Sequence, residues 1–76
     1  MLKHYMEILR ELRKDNERTQ QNMADYLGIS QTMYARYERL DTELPMRHFI
    51  KLCEYFKASA DYVLGLEPQI KKTKNN

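Results

Sequence analysis

Apolar and polar positions in this chain recur with the period of a helix. Tyr5, Ile8, Leu9 and Leu12 are spaced three and four apart, which lines them along one helical face, and the stripe fades in the polar run 14–18. Thr19 has the chemistry of an N-cap and opens a second helix reaching about Leu27. Ser30 opens a third, reaching about Arg39, with its hydroxyl placed to accept from the backbone N–H near Met33. The stretch 40–44 reads as a loop. Pro45 suits the first turn of a fourth helix because its missing N–H would have no partner there, and Phe49, Ile50, Cys53 and Phe56 form that helix's apolar stripe. Ser59 can cap a short fifth helix that Gly65 closes in a left-handed conformation. The pattern predicts an all-α domain over residues 1–66, followed by a flexible polar tail over 67–76.

The junction between the second and third helices is the most informative part of the sequence. Ala24 falls four residues after Gln20, where two steeply crossing helices leave no room for a longer side chain. Gly28 follows four residues later, where the chain must turn sharply and a positive φ is expected. Leu27 and Ile29 flank it and can anchor the turn in the core. These residue types, in this order between two helical patterns, describe a helix-turn-helix, a device that places its second helix in the DNA major groove.

Charge adds little to that reading. The chain has 76 residues and a net charge of +2, with Lys and Arg scattered among nearly as many acids, so no basic patch announces a nucleic-acid surface. Lys71, Lys72 and Lys74 in the tail read first as a solubilising end and second as a phosphate contact. A domain of this length hides only about 60% of its unfolded surface, so modest stability is expected. The single Cys53 cannot form an internal disulfide, which points to a reducing cytoplasm. The longest run without a charge, Tyr26 to Ala35, is far short of the ~20 apolar residues of a membrane span, and no signal peptide is evident. That run covers the turn and the start of the third helix, where amides, hydroxyls and apolar groups would face the bases.

The motif from Gln20 to Arg39 resembles the helix-turn-helix family of the phage lambda-type repressors, the Cro proteins and many small bacterial transcription regulators, and the resemblance extends over about residues 5–66. It implies a compact five-helix lambda repressor-like fold, with the second and third helices forming the helix-turn-helix. Carried over to this chain, it puts Gln31, Thr32 and Arg36 at positions that contact base edges. There a Gln amide can bond adenine, an Arg guanine, and a Thr methyl can pack on thymine. Gln20 falls where the family uses a glutamine to bond phosphate and to buttress the first residue of the reading helix, so the amides of Gln20 and Gln31 are expected to orient each other. Met33 replaces a hydroxyl residue that often touches phosphate, leaving an apolar contact to sugar or thymine. Arg39 and Arg47 flank the following loop as candidates for phosphate contact. Arg13 and Glu38 match a partly buried, bidentate ion pair, and Tyr34 and Tyr37, three apart, should turn into the core. For each polar site residue the plain alternative is a solvated side chain.

Some positions depart from the family pattern. Glu17 and Arg18 stand where a glycine and a leucine are usual, so Asn16 is expected to supply the left-handed residue of that turn. Leu40 replaces a frequent glycine after the third helix. Because one short helix touches few bases, the expected complex is a homodimer on duplex DNA, weak or formed only on the operator, with the apolar surface around Tyr62, Val63, Leu64 and Leu66 as its contact.

Catalysis finds little support. His48 and Cys53 are five apart in a helical segment and should point to different faces, while His4 stands alone near the terminus. Without paired cysteines, two-His spacing or a glycine-rich phosphate loop, no cofactor, metal or small-molecule ligand is indicated, and no sensing domain is expected at this length. The competing reading is a protein-interaction module of the same fold, such as an antitoxin or a partner-dependent adaptor. The modest charge and the tyrosines would suit it.

Overall fold

Side-chain caps set most of the helix starts. The computed structural model describes residues 3–66, which form α1 (Tyr5–Asp15), α2 (Gln20–Leu27), α3 (Gln31–Glu38), α4 (Met46–Phe56) and α5 (Ala60–Leu64), with no strand among them. His4 caps α1, its Nδ1 accepting from Met6 N at 3.0 Å while the Glu7 carboxylate accepts from His4 N at 3.2 Å. Thr19 and Asn22 make the same reciprocal box at α2, and Ser59 caps α5. Pro45 is itself the N-cap of α4, one residue outside the helix rather than in its first turn, and offers no side-chain cap. The tail from residue 67 onward lies outside the described residues.

Helix ends are closed by left-handed residues. Gly28 (φ 76°) and Gly65 (φ 78°) close α2 and α5 as expected. The expectation for Asn16 is wrong: it sits at φ −93°, and Glu17 takes the left-handed place at φ 56°. Asn16 is held in that conformation because both its backbone N–H and its side-chain Nδ2 donate to Leu12 O, at 3.1 and 2.7 Å. Leu40 (φ 66°) and Lys57 (φ 55°) likewise take positions that favour glycine.

One apolar cluster runs through all five helices. Met6, Leu9, Met23, Leu27, Tyr34, Tyr37, Phe49, Leu52, Cys53 and Val63 are buried in it, with Leu44 pinning the loop before α4. Two expectations fail here. Ile50 is half exposed, and the stripe of α4 runs instead through Phe49, Leu52, Cys53 and the half-buried Phe56. Those spacings of three and four keep one face, whereas Ile50 is turned about 100° from Phe49. Val63 is fully buried, so it belongs to the core rather than to an exposed contact surface, while Tyr62, Leu64 and Leu66 are exposed. His48 is buried along with Cys53. On the outside, Tyr26 of α2 clamps α4, its hydroxyl donating to Lys51 O at 3.2 Å while the Lys51 ammonium lies over its ring. Among the described residues no helix is long and apolar enough to cross a membrane.

Candidate nucleic-acid interface

The turn between α2 and α3 is built as its sequence demands. After Gly28 reverses the chain, Ile29 N donates to Ala24 O at 3.0 Å, which ties the turn to the last turn of α2. Ala24 is fully buried where the two helices pack. A Cβ added to Gly28 would meet no atom within 4 Å, so backbone conformation alone demands glycine there. Ser30 Oγ then accepts from Met33 N at 3.1 Å and starts α3.

Burial divides α3 into two faces. Tyr34, Ala35 and Tyr37 are buried, as expected for the tyrosines, and they fasten the helix to the core. Thr32 and Arg36 are exposed on the opposite side, with Gln31 half-buried beside them. Met33 is half-buried and packs against the core, so only part of it faces outward. Arg47 is exposed near the start of α4. Arg39 is exposed too, but its guanidinium is engaged by Asp41, with Nε at 3.1 Å and a second nitrogen at 2.9 Å from the same carboxylate oxygen. A phosphate at Arg39 must compete with that pair.

Behind the exposed face lies a polar joint. Arg13 of α1 grips Glu38 of α3 with two nitrogens, Nε at 2.7 Å and the terminal Nη2 at 3.0 Å, and its third donor reaches Arg18 O at 2.8 Å. The pair is bidentate as expected, and with the Glu38 side chain only 3% exposed it is more deeply buried than the partly buried pair anticipated. Arg10 approaches Glu38 at 3.9 Å from the solvent side. Burial works against the charge on Glu38, yet the hydrogen bonds from Arg13 and Gln20 outweigh it and hold its pKa below the ordinary value. The Arg13 pKa is raised, chiefly by the hydrogen bond to Glu38. The Tyr34 hydroxyl is buried beside this pair without a well-formed hydrogen bond; burial and then the Glu38 charge raise its pKa, which keeps it protonated.

Gln20 joins the pair to the surface. Its Nε2 donates to Glu38 Oε1 at 2.9 Å, and its Oε1 accepts from Gln31 Nε2 at 2.6 Å. The two amides do orient each other. The bond from Gln20 to Glu38 was not foreseen from the sequence, because nothing in the spacing of residues 20 and 38 signals a contact that only the helix crossing creates. His48 is the other buried polar group the sequence did not reveal. Its Nδ1 has no hydrogen-bond partner among the described residues, and burial, then the nearby Arg47 and Lys51 charges, lower its pKa and favour the neutral ring.

Comparison with known proteins agrees with this geometry. A helix-turn-helix family model matches residues 9–63, which include the whole of α2, α3 and α4. The chain is 32% identical over 74 residues to YobD of Bacillus subtilis (strain 168), an uncharacterized HTH-type transcriptional regulator, covering 95% of this chain and 66% of that protein. It is 38% identical over 60 residues to YqaE of the same organism, likewise an uncharacterized HTH-type transcriptional regulator, covering 79% of this chain and 52% of the relative. The chain thus spans about two thirds and about half of these curated relatives. No solved structure matches it significantly. With the turn, the buried alanine and the capped third helix all in place across the matched residues, the chain belongs to the helix-turn-helix family, as do these two transcriptional regulators.

Proposed function

We propose that this chain regulates transcription in the cytoplasm by binding a specific site on double-stranded DNA, with α3 in the major groove, and that it represses by occupying that site. The observation that carries the reading is the two-faced α3. Its buried tyrosines fix the helix rigidly, while Gln31, Thr32 and Arg36 leave a donor, acceptor and methyl set on the open side. Gln31 and Arg36 read bases, Thr32 packs on a thymine methyl, and Met33 adds an apolar contact to sugar or base. Gln20, Arg39 and Arg47 hold phosphates or support the reading residues.

Two copies bind a partly palindromic operator with half-sites about one helical turn, ~34 Å, apart. Their contact is the exposed apolar set Tyr62, Leu64 and Leu66, which is small enough that the dimer forms weakly or only on DNA. The test is selection from a random duplex pool with the purified protein, followed by a salt titration on the selected duplex. Specific binding is expected to recover one sequence with two-fold symmetry and to weaken steeply as salt rises. A pool that stays random, or a single asymmetric half-site at every protein concentration, overturns the reading or its dimer.

The interaction-module reading rests on the modest charge of +2 and on the Arg39–Asp41 pair, which occupies a candidate phosphate ligand. The tyrosines give it less than their number suggests. Tyr34 and Tyr37 are core residues, Tyr5 and Tyr55 are half-buried, and only Tyr26 and Tyr62 are exposed. Such a module would show little binding to heparin or to nonspecific duplex at low salt.

A further inference from the structure

Gln31 stands two hydrogen bonds from a buried charge. The first is Gln31 Nε2 to Gln20 Oε1 at 2.6 Å, and the second is Gln20 Nε2 to Glu38 Oε1 at 2.9 Å. A primary amide has a donor end and an acceptor end, whereas an ionised carboxylate can only accept. Gln20 must therefore turn its –NH2 toward Glu38, because the flipped amide would set a carbonyl oxygen against a carboxylate. That choice leaves its Oε1 facing Gln31, which has to donate in turn. The direction of the whole chain of bonds is set by Glu38, and Arg13 keeps Glu38 ionised by gripping both of its oxygens.

What remains free on Gln31 follows by subtraction. One Nε2 hydrogen is spent on Gln20, so the side chain presents its Oε1 and one N–H. With the bonds reversed, its Oε1 would be turned toward Gln20 and the open side would be met chiefly by its two N–H groups. These two faces suit different purines. Adenine offers a donor at N6 and an acceptor at N7 in the major groove, while guanine offers two acceptors, N7 and O6. We propose that Glu38, acting through Gln20, fixes the amide of Gln31 in the orientation that reads adenine and disfavours guanine. Glu38 is then a positioning residue for base choice, acting one step behind the buttressing Gln20, in addition to the part it plays in holding α1 to α3. The inference rests on the proposed reading by α3 and deepens it.

The experiment uses the full chain and the duplex it selects from a random pool, with every single-base variant of that duplex. Gln31→Ala identifies the pair read by Gln31 as the one at which preference disappears. At that pair the parent is expected to favour adenine over guanine by about tenfold or more. Gln20→Met, close in shape and apolar, leaves the Arg13–Glu38 grip in place but cuts the link, and should reduce the adenine-to-guanine ratio at that pair to within about twofold with other pairs unchanged. Glu38→Gln should do the same in molecules shown to be folded by circular dichroism. In the DNA-free protein the side-chain amide resonances of Gln31 should move in both variants.

If Gln31→Ala flattens one pair while Gln20→Met keeps the full ratio there, the positioning role is overturned and reading by α3 stands. Gln31 resonances that stay in place in both variants overturn it also. If Gln31→Ala alters no pair, or the parent selects no duplex, reading by α3 falls and the positioning role falls with it. A purely structural role for Gln20 would lower affinity equally on all variants and leave the ratio intact.

Discussion

Where α1, α2 and α3 meet, the buried contacts include a directional polar network. Arg13, Glu38, Gln20 and Gln31 each have a donor or acceptor committed to a particular neighbour, and the series runs from a side chain 3% exposed out to the open face of α3. Around α4 and α5 the buried contacts are mostly apolar: Phe49, Leu52, Cys53 and Val63 pack without regard to orientation, and among the described residues the buried polar side chain there, His48, has an unpartnered nitrogen. Apolar packing supplies free energy in proportion to area and carries no directional information. A hydrogen-bonded series supplies little net energy but fixes which way each group points. The apolar cluster spans all five helices, whereas the orienting chemistry is confined to one side of it, directly behind the open face of α3.

The sharpest way to break this division is to damage each half by a similar amount. Leu52→Ala empties a fully buried site and should lower stability by about 2–5 kcal/mol, while the base-preference profile of the folded fraction stays that of the parent. Chemical denaturation and single-base-variant affinities measure the two effects. A changed profile in Leu52→Ala would show that the halves are not separable.

Arg13→Ala and Glu38→Ala should each cost about 3 kcal/mol, because either leaves a buried charge without its partner, and the double mutant should lose less than their sum. Either single mutant melting like the parent would mean the joint is not structural. Acid should open the same joint. The folded pKa of Glu38 lies below its ordinary value of 4.5, so its contribution is full above that range and is lost as pH falls through the lower folded value. His48 adds loss in the same direction but begins earlier: its folded pKa is also lowered, so the unfolded chain takes up the proton first as pH falls below 6.5. Urea midpoints measured from about pH 7 to about pH 3 should fall in two stages, and Glu38→Gln should lack most of the second.

A smaller effect separates base reading from anchoring within the interface. Arg36→Ala should cost about 1–3 kcal/mol on the selected site and flatten preference at one pair in each half-site. Arg39→Ala should weaken every sequence alike and reduce the salt slope by about one unit. Since Asp41 holds Arg39 in the free chain, Asp41→Asn should tighten binding uniformly at low salt. Affinities at several salt concentrations distinguish these outcomes, and an unaltered profile in a folded Arg36→Ala variant would remove α3 as the reading helix.

The smallest predicted changes lie at the helix ends. Gly28→Ala should cost about 1 kcal/mol from the left-handed backbone alone, since its Cβ would meet open space. Leu40→Gly should gain about 0.5–1 kcal/mol, because relief of a positive φ at a half-exposed side chain exceeds the added freedom of the unfolded chain. Thermal midpoints would register both, and a loss at Leu40→Gly would mean that its side chain packs usefully in the loop.

Much of this architecture was legible in local chemistry. Thr19, Ser30 and Ser59 announced three helix starts, and Gly28 and Gly65 two helix ends, because caps depend on residues within one turn. The failures arose where local preference lost to a competing bond or a wider packing pattern. Asn16 tolerates the left-handed region, but its two hydrogen bonds to Leu12 O left that region to Glu17. Ile50 is as apolar as Leu52, and only the face chosen by the other helices decides which is buried. At the interface, the family resemblance supplied the Arg13–Glu38 pair and the facing amides of Gln20 and Gln31. The bond between Gln20 and Glu38 joins residues 18 apart, and it became visible only once the helices crossed.

Cys53 gives this domain a clock. It is the sole thiol of the chain, it is buried, and burial raises its pKa, so in the closed molecule it is both shielded and poorly ionised. An alkylating reagent or a cellular oxidant therefore samples mainly those molecules whose α4 half has opened. The rate of thiol labelling then reads how often the apolar half comes apart, without any attached probe. Oxidative damage would fall first on the least stable copies.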